Sequence, residues 1–236
     1  RVLFRSDNLL NLQTISASRF VGPYAQQVRE WEKKLNHVQE TMELWFGVQT
    51  RWQYLESIFV GSEDIRMQLP EEARRFDAID KGWIAIMNGT SKNPTVLNAC
   101  HADHRYSTLD TMNERLESCQ KGLSDYLDTK RNAFPRFFFL SDEELLSVLG
   151  SSDPTAIQPH LLKLFDNCKI LHFSRGAKVV EGMTSAEGES YKMRDVAVID
   201  GPVEEWMTAV ESEMRSSLLI ISKEGVFDYA KEDRLE

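Results

Sequence analysis

Residues 130–146 read KRNAFPRFFFLSDEELL. Four of the six positions 134–139 are phenylalanine, a proline and an arginine separate the first from the rest, and Ser141 and three acids follow closely. Proline lacks the N–H that a helix interior needs and restricts the residue before it, so Pro135 ends the helical pattern that precedes it. Positions 137–140 then read as a short extended piece. Ser141 is a strong N-cap, Glu144 three residues on completes a capping box, and Leu140 and Leu145 occupy the positions of a hydrophobic staple. A new helix therefore starts at once, and Gly150 closes it. The aromatics are expected to wedge the chain into a core at this boundary. An arginine among them, Arg136, needs a carboxylate, a carbonyl or an aromatic face as its partner. Phe134, Arg136, Phe137 and Phe139 are thus the candidate joint between subdomains.

Before the joint the chain reads as helix. Tyr24, Val28, Trp31, Leu35, Val38, Met42, Trp45, Trp52, Leu55 and Phe59 follow steps of about three and four, with Gln49 the one interruption. This is one long amphipathic helix, or two nearly collinear ones broken near Gly47. At ~1.5 Å per residue it reaches roughly 50 Å, which predicts an elongated molecule. A second helix starts at Pro70, with Glu71 and Glu72 complementing its dipole, Phe76, Ile79, Trp83 and Ile86 facing inward, and Asn88 and Gly89 stopping it. A third carries Leu109, Met112, Leu116, Cys119, Leu123 and Tyr126. The tryptophans Trp31, Trp45 and Trp52 fall on the core stripe, which fits packing better than a stacking platform.

After the joint the elements shorten. Asp153 and Pro154 begin one short helix, and Pro159 punctuates the next, which ends near Asn167. Strands are expected over 170–173, 178–184 and 191–199, with Ser185, Ala186, Glu187, Gly188 and Glu189 forming the hairpin loop between the last two. Pro202 opens a final helix with Val203, Trp206, Met207, Val210, Met214 and Leu218 on one face. The fold class is mainly α: elongated multi-helix bundles with a small antiparallel β-sheet or hairpin inserted in the C-terminal half. Three parts follow, a long-helix bundle (1–133), short helices with the small sheet (134–200) and a long C-terminal helix (201–236).

The 236 residues carry a formal net charge of -9 and 42% hydrophobic residues, enough for a real core. The charge argues against nucleic acid, an anionic membrane or a microtubule wall as a direct partner. Cys100, Cys119 and Cys168 are sparse and odd in number, which suggests a reducing compartment with buried free thiols. No run approaches the ~18 apolar residues of a membrane span. RVLFRSDNLL lacks a signal-peptide layout and an initiator methionine, and reads as an internal cut in a longer cytosolic protein.

No catalytic constellation stands out. Neither a GxxxxGK[ST] loop nor a GxGxxG is present, so no nucleotide cofactor is expected. Cys100, His101 and His104 are the one metal-like cluster, but no second ligand pair stands at fixed spacing, and a polar helix surface explains them better. Asp142, Glu143 and Glu144 fit first-turn acids on a helix dipole rather than catalytic carboxylates. No catalytic, cofactor-binding or metal residue is assigned.

Several motifs, in order, resemble the linker region of dynein heavy chains. Trp45, Val48, Gln49, Trp52, Tyr54, Leu55, Glu56, Ile58 and Phe59 are similar to that family's VQxxWxYLExIF, and Asp64, Ile65, Leu69, Pro70 and Phe76 continue it. The joint resembles its FPRFYFLSxDELL, with Phe138 where tyrosine is usual, so any hydrogen bond from that hydroxyl is absent. Gln158, Pro159, His160 and Leu161, the SAEGE loop at 185–189, and Val203, Glu204, Glu205, Trp206, Val210, Glu211 and Met214 match further elements. The resemblance covers about 31–219, matches weakly over 1–23, and is more axonemal than cytoplasmic in style. It implies a mechanical lever that swings across the AAA+ ring of the same heavy chain to give a power stroke. ATP would be bound and hydrolysed in that ring, and microtubules held by a distant stalk tip, in a ciliary or flagellar axoneme. A spectrin-like scaffold binding partner helices, or a metal-dependent hydrolase on Cys100, His101 and His104, remain the competing readings.

Overall fold

The computed structural model describes residues 2–229 and 231. In order, the helices are α1 (Val2–Ser16), α2 (Ala25–Phe59), α3 (Glu63–Gln68), α4 (Pro70–Lys92), α5 (Val96–Cys100) and α6 (Arg105–Ala133). A 3-10 turn (Gly22–Tyr24) precedes α2, and after α6 come a 3-10 turn (Pro135–Phe139), α7 (Asp142–Leu149), a further 3-10 turn (Pro154–His160) and α8 (Leu161–Leu164). Strands β1 (Ile170–Phe173), β2 (Val179–Thr184) and β3 (Ser190–Val198) then precede α9 (Val203–Tyr229). The chain is mainly α with one small antiparallel sheet in its C-terminal half.

Two compact units divide it. The first holds residues up to Gly61 together with Leu69–Gly122; the second holds Ser62–Gln68 and everything from Leu123 onward. The expected boundary at 133/134 falls inside the second unit, so the aromatic turn and the last turns of α6 belong to one core.

In the first unit, α2 runs unbroken through Gly47, beside which sit Arg51 Nη1 and Asn113 Oδ1. The stripe buries Val38, Val48, Leu55 and Phe59. Phe59 stacks on Phe76 with centroids 5.5 Å apart, and Trp83 receives Trp52 at 5.8 Å and Trp45 at 6.4 Å. The Trp52 indole donates to Asp80 Oδ1 at 2.9 Å, so the one polar atom of that ring is satisfied. These pairs set α2 and α4 antiparallel, and the end of α4 reaches only the level of Met42, which shares a groove with Met87 and Thr90. Trp31 lies some three turns further back. It is exposed, with Lys34 at 5.2 Å over its ring, and Tyr24 is exposed as well, whereas Val28 between them is buried, so the core stripe is interrupted at Trp31 rather than continuous.

α4 does not stop at Gly89 but runs to Lys92. Glycine interrupts a helix only when it takes a left-handed conformation, and Gly89 does not. Asn93 and Pro94 end the helix instead. Against α4, α6 buries Leu109, Leu116 and Cys119, while Arg51 reaches across to Asn113 at 2.7 Å and Glu117 at 2.8 Å.

In the second unit, β1, β2 and β3 pair in sequence order, all antiparallel. The register slips at Glu181 against both neighbours, a bulge that keeps Leu171, Val180, Met193 and Ala197 buried. The hairpin turn closes through Ser185 N–H to Glu189 O at 2.8 Å, with Gly188 at a φ of 92°. Asn167 accepts from the Ala186 N–H at 3.1 Å and pins the turn from outside. Along β3, Ser217 and Glu213 of α9 accept from the Arg194 and Asp195 amides.

Candidate functional site

Positions 137–139 are not extended, and only Leu140, which follows them, has extended dihedrals. Phe134 has extended dihedrals, Pro135 takes the first helical position, and the chain coils into a 3-10 turn through Phe137 N–H to Phe134 O (3.0 Å) and Leu140 N–H to Phe137 O (3.1 Å). In a 3-10 helix residues three apart eclipse, so Phe134 and Phe137 share one face. Both are fully buried, edge to face at 4.9 Å, and Phe165 meets Phe134 at 6.4 Å. Phe138 and Phe139 are directed away and are 59% and 66% exposed. Half of the candidate aromatic wedge is therefore core and half is surface. The extended reading missed this because Pro135 suits the first position of a helical turn as well as it ends a helix.

Arg136 has all three kinds of partner that its position demands. Its Nη1 donates to Leu164 O at 2.8 Å; its Nε and Nη2 grip the two oxygens of Glu211 at 3.1 and 3.2 Å. The guanidinium carbon stands 4.8 Å from the centre of the Phe165 ring. This two-pronged grip ties the turn to the end of α8 and the middle of α9. The hydrogen bond from Arg136 holds the Glu211 carboxyl below its usual range, with Arg215 adding a second cation at 2.7 Å.

Two cations at the end of α6 extend the network. Arg131 donates to Leu140 O at 3.3 Å and pairs with Asp142 at 2.6 Å. Lys130 pairs with Glu204 of α9 and lies 5.4 Å from the Tyr126 ring. Burial, and then the Glu204 charge, push the Tyr126 phenol up to about 12. α7 begins as its sequence requires: Ser141 Oγ accepts from the Glu144 amide, and Glu144 accepts from the Ser141 amide. Glu144 also pairs with Lys163 at 2.6 Å, and these bonds bring its pKa to about 2.

Sequence reasoning missed Glu211, Phe165 and the Leu164 carbonyl as the partners of Arg136. Its signal was only that some partner must exist, and with 37 acids in the chain that signal selects none. The other candidates sit apart from the turn. The His101 ring bonds to Leu97 O at 3.0 Å and packs edge to face on His37 at 4.9 Å, while Cys100 is buried. Among the described residues no group of three or more His, Cys, Asp or Glu side chains could hold a metal ion.

Comparison with known proteins gives the chain a family. A family model described as dynein heavy chain, N-terminal region 2, matches residues 4–225. The chain belongs to this family. It is 59% identical over 225 residues to the "Dynein-1-alpha heavy chain, flagellar inner arm I1 complex" of Chlamydomonas reinhardtii, covering 95% of this chain. It is 54% identical over 231 residues to "Dynein axonemal heavy chain 10" of Homo sapiens, covering 97% of this chain. A third relative, "Dynein axonemal heavy chain 2" of Mus musculus, is 44% identical over 218 residues. The chain spans about 5% of the length of each of these relatives. In this dynein heavy-chain region Arg136 ties the FPRFFF turn to α8 and α9.

Proposed function

We propose that this dynein heavy-chain region is a mechanical lever of an axonemal dynein, working in a cilium or flagellum. It swings across the AAA+ ring of the same heavy chain and converts ATP turnover in that ring into displacement. The region itself performs no catalysis and makes no direct contact with the microtubule. The observation that carries the reading is the Arg136 grip on Glu211, Leu164 and Phe165, supported by family membership. A lever transmits force only if its elements do not yield against one another. A bidentate ion pair with a carbonyl and a ring around it resists sliding in more directions than apolar packing does. In this reading Phe134, Arg136 and Phe137 form the stiff joint, and Phe139 contributes from its exposed face.

Gliding speed and ATPase rate, measured side by side on one preparation of the intact motor, test it. Arg136→Ala is expected to slow gliding more than it slows ATP turnover, because the catalytic sites lie elsewhere. If both fall in proportion, or neither changes, Arg136 is not in the mechanical path.

A further inference from the structure

Within the first unit α4 and α6 pair antiparallel, and close approaches fix their register. A Cβ on Gly122 would meet Glu72 Cγ at 2.8 Å, and one on Gly82 would meet Met112 Cε at 2.6 Å. Between these points Arg75 Nη1 donates to Ser118 Oγ at 3.4 Å. Arg115, about one turn before Ser118, therefore lies beside Ala78, about one turn after Arg75. The small side chains of Ala78 and Ser118 leave a notch of about 380 Å³, rimmed by Glu71, Arg74, Arg75 and Arg115. Three guanidinia thus meet one carboxylate, on a chain whose net charge is -9. Glu72, the other acid in the first turn of α4, packs inward against α6 with its side chain 19% exposed. Much donor capacity is unspent. Among the described residues Arg74 gives one hydrogen bond, to Glu71 at 3.1 Å, Arg75 gives the one to Ser118, and Arg115 gives none. A guanidinium carries several more donors than these bonds use.

We infer that this notch binds a phosphoryl group, as the free ion or as a monoester. Charge selects an anion, and the amount of charge narrows the class. Three cations against Glu71 leave an excess of about two, which a phosphate dianion matches and a single carboxylate does not. Geometry separates the two as well. A carboxylate offers two oxygens in one plane, and one guanidinium fork fills them. Here the forks come from two helices, Arg74 and Arg75 from α4 and Arg115 from α6, with the Ser118 hydroxyl beside them. Such donors suit an acceptor whose oxygens point in several directions, as those of a tetrahedral phosphoryl group do. The pair between Arg74 and Glu71 is exposed on both sides, so solvent screens it and the fork can turn toward a ligand. Ala78 is the one apolar residue of the lining, so the notch reads phosphoryl oxygens and leaves the group they esterify in solvent. A nucleic-acid strand needs a stripe of cations rather than a single point, and is not the ligand.

Titration of the isotope-labelled 236-residue chain at constant ionic strength, read at the arginine Nε–H resonances, tests the inference. The probes are inorganic phosphate, a capped glycyl-phosphoseryl-glycine peptide, the same peptide with glutamate for phosphoserine, and acetate. A saturable shift at Arg115 is expected with phosphate, and the two carboxylates should bind at least about fivefold more weakly. A phosphoserine peptide that outcompetes the free ion assigns the site to a phosphorylated polypeptide, and equal binding assigns it to the ion. Arg115→Gln should weaken phosphate by at least about threefold, and Arg115→Lys, which keeps the charge and loses the fork, should recover only part of that. Should Arg115→Gln fail to fold, Arg74→Gln remains, at a side chain 76% exposed, with a loss of at least about twofold. No saturation with either phosphate probe, carboxylates that bind as tightly as phosphate, or an affinity unchanged by Arg115→Gln would each overturn the site.

Discussion

Phe137 and Phe139 stand two positions apart in one 3-10 turn and meet opposite surroundings, the first buried and the second facing outward. Truncating each isolates what the aromatic run contributes. Phe137→Ala is expected to cost about 3–5 kcal/mol in chemical denaturation, as emptied aromatic core sites do, whereas Phe139→Ala should fall within roughly 0.5 kcal/mol of the parent. Arg136→Ala should cost less than Phe137→Ala, about 1–2 kcal/mol, because its partly exposed ion pair is screened by solvent while the Leu164 carbonyl loses a donor. Arg136→Lys should recover little of that loss, since an ammonium cannot span both Glu211 oxygens. A lysine variant as stable as the parent would show that charge alone, and not the fork, matters at this corner.

Elements here depend on short-range chemistry that single substitutions can probe. Ser141→Ala removes one half of a reciprocal cap and is expected to destabilise by ~1 kcal/mol. Glu144, the other half, has a folded pKa of about 2 against an ordinary 4.5. Its depressed value means that its contribution is present above pH ~4.5 and is lost as pH falls toward ~2. Stability measured from pH 5 to pH 2 should therefore drop less steeply in Glu144→Gln than in the parent, and parallel curves would refute the linkage. In the sheet, a Cβ on Gly182 would meet the Tyr191 carbonyl oxygen at 2.4 Å, a backbone atom that cannot rotate away. Gly188 has open space and only a left-handed φ. Gly188→Ala should cost ~1–2 kcal/mol, and Gly182→Ala more, because it forces β2 and β3 apart at their bulge. Equal melting temperatures for the two variants would contradict this order.

For the molecule as a whole, the net charge of -9 governs encounters with other large polyanions. The chain is expected to stay in the supernatant when microtubules are pelleted at low salt, and to remain there as salt is raised. Pelleting that disappears with salt would instead reveal a basic face on this acidic chain. At the same scale, much was legible before any fold was known. Helix starts at Pro70 and Ser141, the three strands and the hairpin turn at Ser185–Gly188 were all readable, because caps, turns and periodicity are written within a few consecutive residues. The family was legible for a related reason, since its motifs recur in order along the chain. What sequence could not supply was anything joining distant positions. Trp31 satisfies the helical stripe as well as Trp45 does, yet only Trp45 has α4 opposite it. Arg136 advertises a partner, but Glu211 lies 75 residues away among many equivalent acids. Glu204 reads as a first-turn acid, and only the packing of α6 against α9 buries it and leaves Oε2 without a donor. Local patterns arise from forces acting over one or two turns of chain, whereas partners and cavities arise from which surfaces the folded chain brings together.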